Sequence, residues 1–158
     1  MTILAYEPYP DLDFVREHDV TLLPLEELLR RSDLVTLHCP ATLENRHLIN
    51  RERLRLMKPT AHIVNTARGA LVDETALHEA LVTGRIAGAG LDVFEKEPLF
   101  DSALFGLDNV VLSPHVAGID KTSEVAMADR AIDAILAIWR GEPPPRECVV
   151  NPEALRPR

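Results

Sequence analysis

Alternation between short apolar runs and helix-like patterns is the feature that most restricts how this chain can fold. The apolar runs stop at polar residues, Gly or Pro and therefore predict buried strands, at 3–6, 20–23, 34–37, 61–65, 86–93 and 109–113. The intervening segments have helical periodicity and predict helices, at 11–17, 24–31, 50–56, 73–83 and 122–140. Strands that alternate with helices predict an α/β fold, a mostly parallel sheet flanked by helices.

Single residues indicate several of the helix ends. Asn50 and Asp73 are predicted N-caps, because their side chains can accept hydrogen bonds from N–H groups of the first turn. Gly84 and Gly141 each follow a predicted helix, at the position where a left-handed residue is favoured. Pro59 is expected to stop the helix that begins after Asn50, which we predict to continue through residue 56.

Charge and composition argue against several functional classes. The formal net charge is -8, and no Lys/Arg cluster with interleaved aromatic residues offsets it, so we expect no nucleic-acid or anionic-membrane partner. No stretch approaches the ~18 apolar residues of a transmembrane helix, and residues 1–7 do not resemble a signal peptide. The two cysteines, Cys39 and Cys148, are too few for a disulfide framework, so a cytoplasmic location is expected. The histidines show no metal-ligand spacing, and no metal site is predicted.

Polar or charged residues follow the predicted strands. The carboxyl ends of parallel strands meet at one edge of a sheet, and ligands of open α/β sheets bind there. The residues that this rule brings together are Glu7 and the segments 38–40, 65–69, 92–98 and 113–115. We therefore expect the chemistry of this chain at that edge.

Three strand-end residues could act together. Arg68 could offer its planar guanidinium to a carboxylate, although a surface arginine in a tight turn is the alternative. His115 could exchange a proton near neutral pH, and Glu97 could orient and charge its ring. A single loop histidine is usually structural or solvated. Each of these three residues follows a different predicted strand, however, which favours a shared site for an organic acid.

Glu7 is a candidate for cofactor recognition. In dinucleotide-binding folds, an acid at the end of the second strand binds the adenosine ribose hydroxyls and repels a 2′-phosphate. No arginine occurs at 8–10, so NAD is favoured over NADP. The alternative is an ordinary acid at a strand end. Gly88-Ala89-Gly90 resembles the start of a phosphate-binding loop, but it enters a predicted strand instead of leaving one, and we interpret it as close strand packing.

Five stretches that together cover nearly the whole chain resemble the D-isomer-specific 2-hydroxyacid dehydrogenases. This family includes D-3-phosphoglycerate, glycerate, D-lactate and formate dehydrogenases. The matching stretches are LEELLRRSDLVTLHCPAT (25–42), LMKPTAHIVNTARGALVDETAL (56–77), GRIAGAGLDVFEKEPL (84–99), NVVLSPHVAG (109–118) and RGEPPPRECVVNPE (140–153). The resemblance implies a Rossmann-like sheet and NAD as the cofactor.

The resemblance also implies a role for each strand-end residue. Arg68 would bind the substrate carboxylate, His115 would be the general acid and base, and Glu97 would hold its imidazole ring. Asp92 would lie against the nicotinamide, and Glu7 would take the ribose position that usually holds aspartate. The other implied cofactor contacts are Cys39, Pro40, Thr66, Ala67, His115 itself and Gly118. The implied reaction is reversible hydride transfer between a D-2-hydroxy acid and NAD, which makes a 2-hydroxy or 2-keto acid the small-molecule partner.

Parts of the family pattern have no counterpart in this sequence, namely the substrate domain, the first strand of the dinucleotide fold and its glycine-rich turn. Residues 1–141 are predicted to be a partial NAD-binding domain, and 142–158 a tail that in the family returns toward the substrate domain. The missing strand is central to the sheet, so segment 3–23 should have no strand linking it to the strand at 34–37. We expect a truncated dehydrogenase, weakly stable or oligomeric, as a homodimer or with a complementing N-terminal half, and catalytically silent unless complemented.

Two other interpretations remain open. The family resemblance also admits a non-catalytic, NAD-sensing binding module of the corepressor type, and such modules can retain Arg68, Glu97 and His115. A degenerate chain without a present role is the third possibility. Turnover in a complemented protein would distinguish the enzyme from the other two.

Overall fold

The computed structural model describes residues 1–151 and 153, which fall into two compact units. The first unit comprises residues 1–115, and the second begins at residue 116. The boundary that we predict between residues 141 and 142 stays a prediction. Residues 152 and 154–158 of the predicted tail lie outside the described residues.

The first unit confirms the predicted alternation of strands and helices. Its strands are β1 (Leu4–Ala5), β2 (Thr21–Leu22), β3 (Leu34–Leu37), β4 (His62–Asn65), β5 (Gly88–Leu91) and β6 (Val110–Leu112). Its helices are α1 (Leu12–Glu17), α2 (Leu25–Arg31), α3 (Arg51–Leu54) and α4 (Glu74–Val82). All strand pairs are parallel, so the α/β class is confirmed.

The strands form two separate sheets. One has the order β3-β4-β5-β6, and the other consists of β1 and β2 alone. The register of the larger sheet pairs Leu37 with Asn65 and Asn65 with Leu91, so the carboxyl ends of its strands are aligned. No hydrogen-bonded strand joins the two sheets within the described residues, which confirms the gap expected between segment 3–23 and the strand at 34–37.

One apolar cluster holds the first unit together. α2 and α4 carry leucines or alanines three and four positions apart, a spacing that places them on one helix face toward the sheet. The buried side chains of these helices are Leu25, Leu28, Leu29, Ala76, Leu77, Ala80 and Leu81. They pack with buried strand residues such as Ile63 and Leu91. This core fixes the strands whose ends carry the candidate site.

The predicted caps are present, but one predicted helix is shorter than expected. Asn50 accepts a hydrogen bond from the Arg53 N–H at 2.9 Å, and Gly84 is left-handed with φ 65°. The helix after Asn50 ends at Leu54, not at residue 56. The N–H groups of Leu56 and Met57 bond three residues back, so the chain tightens into turns before Lys58-Pro59. Lys58 precedes a proline, a position that disfavours helical geometry, so the helix ends before it.

The glycines of β5 confirm the interpretation of Gly88-Ala89-Gly90 as close packing. A Cβ at Gly88 would lie 2.9 Å from both the Asn109 carbonyl oxygen and the His62 ring. Gly90 lies within the same strand, between its neighbours β4 and β6. Gly88 therefore allows β5 to approach its neighbours closely, and neither glycine belongs to a phosphate-binding turn.

The second unit contains the long helix α5 (Lys121–Trp139), which confirms the helix predicted at 122–140. Asp120 caps its N-terminus, and Arg130 pairs with Glu147 at 2.9 Å. None of the residues of α5 is buried. Neither α5 nor any other helix in the described part of the chain is both long enough and apolar enough to cross a membrane.

Candidate active site

A histidine and a glutamate from neighbouring strand ends form a direct contact. The Nδ1 atom of His115, in the loop after β6, lies 2.7 Å from Oε2 of Glu97, in the loop after β5. The other carboxylate oxygen of Glu97 accepts the Phe94 N–H at 2.9 Å. With Nδ1 engaged by the carboxylate, Nε2 is the ring nitrogen that can face a substrate. The pair has the geometry of an oriented general acid and base.

The surroundings of Glu97 favour its ionised form. The hydrogen bond from His115 lowers the pKa of the Glu97 carboxyl, and the Phe94 N–H and the charges of His115 and Arg68 act in the same direction. Because the pKa in the folded state is below the ordinary value, these contacts stabilise the fold above the ordinary pKa of glutamate. That stabilisation is lost as the pH falls through the lowered pKa.

Backbone and buried polar contacts hold His115 in place. Its N–H donates to the Asp92 carbonyl at 2.8 Å, and its φ of 58° lies in the left-handed region. The Asp92 carboxylate is buried and accepts a hydrogen bond from the Ser113 hydroxyl at 2.6 Å. The loops after β5 and β6 are therefore tied together directly beside the histidine–glutamate pair.

Arg68 lies in the turn after β4. Its charge lowers the pKa of the Glu97 carboxyl, which indicates that the guanidinium is within electrostatic range of the His115–Glu97 pair. Its Nη1 donates to the Ala67 carbonyl at 2.6 Å, and within the described residues no carboxylate forms an ion pair with it. The buried Asn65 shapes this turn, since its side chain donates to the Arg68 carbonyl and accepts from the Ala67 N–H. The guanidinium is thus a cation that a substrate carboxylate could bind.

Gly69 brings the turn after β4 against the loop after β5. A Cβ at this position would lie 1.9 Å from the Phe94 carbonyl carbon and 2.4 Å from the Glu95 nitrogen. Only a residue without a side chain allows the two backbones to approach this closely. The approach sets the separation between Arg68 on one loop and Glu97 on the other.

Replacement of Gly69 by alanine is expected to destabilise the fold by roughly 1–3 kcal/mol or more, because the new methyl group would overlap backbone atoms that no rotamer change can move. Gly90→Ala is the matched control, since its Cβ would meet nothing closer than a Val64 methyl at 3.6 Å. Denaturant unfolding measures both variants. Equal midpoints for Gly69→Ala and the wild type would contradict the close approach.

Two clefts open at this edge of the sheet. A cavity of about 680 Å³ has Glu97 and His115 at its polar side and is otherwise lined mainly by apolar residues, among them Phe94, Pro98, Leu99, Phe105 and Pro114. A second cleft of about 510 Å³ lies at the ends of β3 and β4 and is lined by His38, Cys39, Pro40, Ala41, Ala67 and Arg68. Four of the ten predicted site residues therefore line the second cleft, and two, Glu97 and His115, line the first.

The remaining predicted cofactor contacts occupy several places. Burial raises the pKa of the Cys39 thiol, and the charge of Glu7 raises it further, so Glu7 lies within electrostatic range of the second cleft. The Glu7 carboxylate accepts the Tyr9 N–H at 2.9 Å. Thr66 is exposed directly after β4. Gly118 belongs to the second unit, and its predicted contact stays a prediction.

The structure adds residues that sequence reasoning missed. Arg46 and His47 contact Glu95, which exchanges hydrogen bonds with Glu74 at the start of α4. The one sequence signal that could have indicated the Glu95 contacts is the acidic character of the loop that contains Glu95 and Glu97. The partners of Glu95 are far from it in the sequence, so they could not be assigned from the sequence alone. No group of three or more His, Cys, Asp or Glu side chains suited to a metal occurs in residues 1–151 and 153.

Comparisons with known proteins agree with this geometry. The family model for the D-isomer specific 2-hydroxyacid dehydrogenase, NAD binding domain, matches residues 1–117. The chain is 48% identical over its whole length to a glyoxylate reductase from Korarchaeum cryptofilum and 48% identical to one from Pyrococcus horikoshii. It spans about half of these relatives, 47% of each.

A solved structure shares the fold. The D-lactate dehydrogenase from Lactobacillus jensenii, crystallised with NAD+, superimposes with a TM-score of 0.82 at 30% identity, covering 90% of this chain and 47% of the other. The match confirms a Rossmann-like, mostly parallel sheet and supports NAD as the cofactor. The chain therefore belongs to the D-isomer specific 2-hydroxyacid dehydrogenase family, and its first 117 residues match the NAD binding domain of that family.

Proposed function

We propose that this chain provides the proton-transfer and cofactor-binding half of an NAD-dependent oxidoreductase that acts on the CH–OH group of a D-2-hydroxy acid. The 2.7 Å contact between His115 and Glu97, within electrostatic range of Arg68, is the observation that carries the proposal. A cation for the acid group and an oriented imidazole for the hydroxyl proton are the two groups that such a substrate requires.

Each of the three residues has a distinct role in the oxidative direction. Arg68 binds the substrate carboxylate and directs the C2 hydroxyl toward His115. His115 accepts the hydroxyl proton on Nε2, and Glu97 stabilises the imidazolium that forms. In the reductive direction the same imidazolium returns its proton to the oxygen of the 2-keto acid. Because protonated His115 and ionised Glu97 attract each other, the lowered pKa of Glu97 supports this arrangement.

The residues around the second cleft fit a dinucleotide. Neutral Cys39, with Pro40 and Ala67, offers a van der Waals surface at the ends of β3 and β4, the usual place for a nucleotide in this fold. Glu7 would bind the ribose hydroxyls, and Asp92, Thr66 and Gly118 would complete the contacts. When bound, NAD supplies the hydride acceptor.

The relatives support a small substrate and an enzymatic role. Two glyoxylate reductases share 48% of its residues, so a short 2-keto acid or its 2-hydroxy form is the proposed substrate. The two glyoxylate reductases and the D-lactate dehydrogenase are named as enzymes, and nothing in these names favours the corepressor alternative. A cytoplasmic location, supported by two free cysteines, and a homodimer or an assembly with a complementing N-terminal half complete the proposal.

The 158 residues alone are proposed to turn over little or no substrate, because they contain no glycine-rich turn for the pyrophosphate. The test joins this chain to the N-terminal half of the Pyrococcus horikoshii glyoxylate reductase and measures NADH absorbance with glyoxylate and with a panel of D-2-hydroxy acids. We expect turnover by the chimera and none by the chain alone. A folded chimera without turnover would refute the proposed activity, and steady NADH production by the chain alone would refute its silence.

A further inference from the structure

A second glutamate, Glu95, connects the loop that carries Glu97 to two other segments of the first unit. Glu95 Oε2 lies 3.0 Å from the Arg46 guanidinium and 3.1 Å from His47 Nε2. Its other oxygen accepts the Glu74 N–H at 3.2 Å, at the N-terminus of α4. In return, the Glu95 N–H donates to the Glu74 carboxylate. One side chain thus links segment 46–47, the start of α4 and the loop after β5.

These contacts are partly shielded from water. The side chain of Glu95 is 27% exposed and that of His47 is 33% exposed, so water does not fully screen the charge of the Glu95 carboxylate. His47 Nε2 is buried and makes no hydrogen bond of normal geometry with any described residue, which leaves the Glu95 carboxylate as the charge beside it. Burial, assisted by the charges of Glu95 and Glu97, raises the pKa of the Glu74 carboxyl.

Consecutive N–H groups of this loop donate to different partners. The Phe94 N–H donates to Glu97, whose carboxylate contacts His115, and the Glu95 N–H donates to Glu74 on α4. Gly69 packs against the peptide bond between Phe94 and Glu95, so the loop has little freedom where these bonds meet. Loss of the Glu95 carboxylate contacts with Arg46 and the Glu74 N–H would therefore loosen the backbone from which the Glu97 side chain projects.

We propose that Glu95 is a positioning residue for the proton-transfer pair: by tying the loop after β5 to Arg46, His47 and Glu74, it places the Glu97 carboxylate against His115. Glu95 itself contacts neither the His115 imidazole nor the proposed substrate. The inference rests on the proposed function, because the pair it positions is the one assigned to proton transfer there.

The test is a carbon-13 NMR titration of the Glu97 side-chain carboxyl in the 158-residue chain, with the signal assigned by its loss in Glu97→Gln. The charged groups that act on this carboxyl are His115 and Arg68, and Glu74 feels its charge from α4. In Glu95→Ala we expect the pKa of Glu97 to move upward, since the contacts with His115 and with the Phe94 N–H weaken. Mere removal of a neighbouring negative charge would move the pKa downward, so the sign separates positioning from simple electrostatics.

Two further variants complete the test. Glu79→Gln removes an exposed ion pair with Arg51 from the same helix and should leave the Glu97 titration unchanged. Should Glu95→Ala fail to fold by near-ultraviolet circular dichroism, Glu95→Gln retains an acceptor for the Glu74 N–H but loses the attraction to the Arg46 guanidinium, and a smaller upward shift of the Glu97 pKa is expected. An unchanged or lowered Glu97 pKa in the folded Glu95 variant would overturn the inference. This titration needs no cofactor or turnover, so its failure is separate from a failure of the proposed reaction.

Discussion

The chimera that carries His115→Asn is expected to lose about 10²- to 10⁴-fold in kcat for both directions of the reaction, the usual contribution of a general acid and base. Asparagine tolerates the left-handed backbone that His115 adopts at φ 58°, so the substitution removes the imidazole without straining the loop. Initial rates with saturating NADH and glyoxylate measure the reductive direction, and rates with saturating NAD and a D-2-hydroxy acid measure the oxidative direction.

A matched variant identifies the source of the effect. His78 lies on α4 and lines neither cleft, so His78→Asn should retain the kcat of the parent chimera. Retention of full activity by His115→Asn would show that this imidazole transfers no proton. Equal losses in both variants would indicate a general effect of histidine replacement on the fold.

The chimera with Arg68→Met is expected to lose roughly 10- to 10²-fold in kcat/KM for the 2-keto acid, because a hydrogen bond to a charged group contributes about 1.5–3 kcal/mol. Methionine approximates the length of the arginine stem but carries no charge. Arg68→Lys should recover only part of the loss, since an ammonium lacks the planar fork that pairs with a carboxylate. Steady-state rates at a series of substrate concentrations give kcat/KM for each variant.

Arg51→Met provides the comparison for this prediction. Arg51 is paired with Glu79 on the surface, so its loss should leave kcat/KM unchanged. The role of Arg68 as the carboxylate-binding group would be contradicted if Arg68→Met kept the parent KM and kcat. It would also be contradicted if an uncharged substrate analogue suffered the same loss as the acid.

Local signals made much of the fold predictable. Each strand is an apolar run closed by polar residues or Pro, and caps such as Asn50 and Gly84 act through contacts with near neighbours in the sequence. The predicted end of α3 was wrong by two residues, because residues 55–57 form tight turns although their sequence continues the helical pattern. The gap between the two sheets followed from strand order, which the family resemblance supplied and periodicity alone could not.

The candidate site was predictable only in part, because strand-end rules place residues along an edge but do not orient them. They brought Glu97 and His115 together, and the structure adds the 2.7 Å contact. No local sequence pattern indicates the role of Asn65, a buried strand residue whose side-chain amide donates to the Arg68 carbonyl and shapes that turn. The contact between Arg46 and Glu95 joins residues 49 positions apart, and no periodicity connects them.

The central claim is that this edge of the sheet supports direct hydride transfer from C2 of a D-2-hydroxy acid, with His115 handling the proton separately. The most direct measurement supplies the chimera with a D-2-hydroxy acid deuterated at C2 and NAD in ordinary water, then analyses the reduced nicotinamide by mass spectrometry and proton NMR. We predict one deuterium at C4 of the nicotinamide in the parent chimera. In His115→Asn the deuterated nicotinamide should form more slowly, by the same factor as the loss in kcat. Reduced nicotinamide without deuterium, formed while the acid is consumed, would contradict the account.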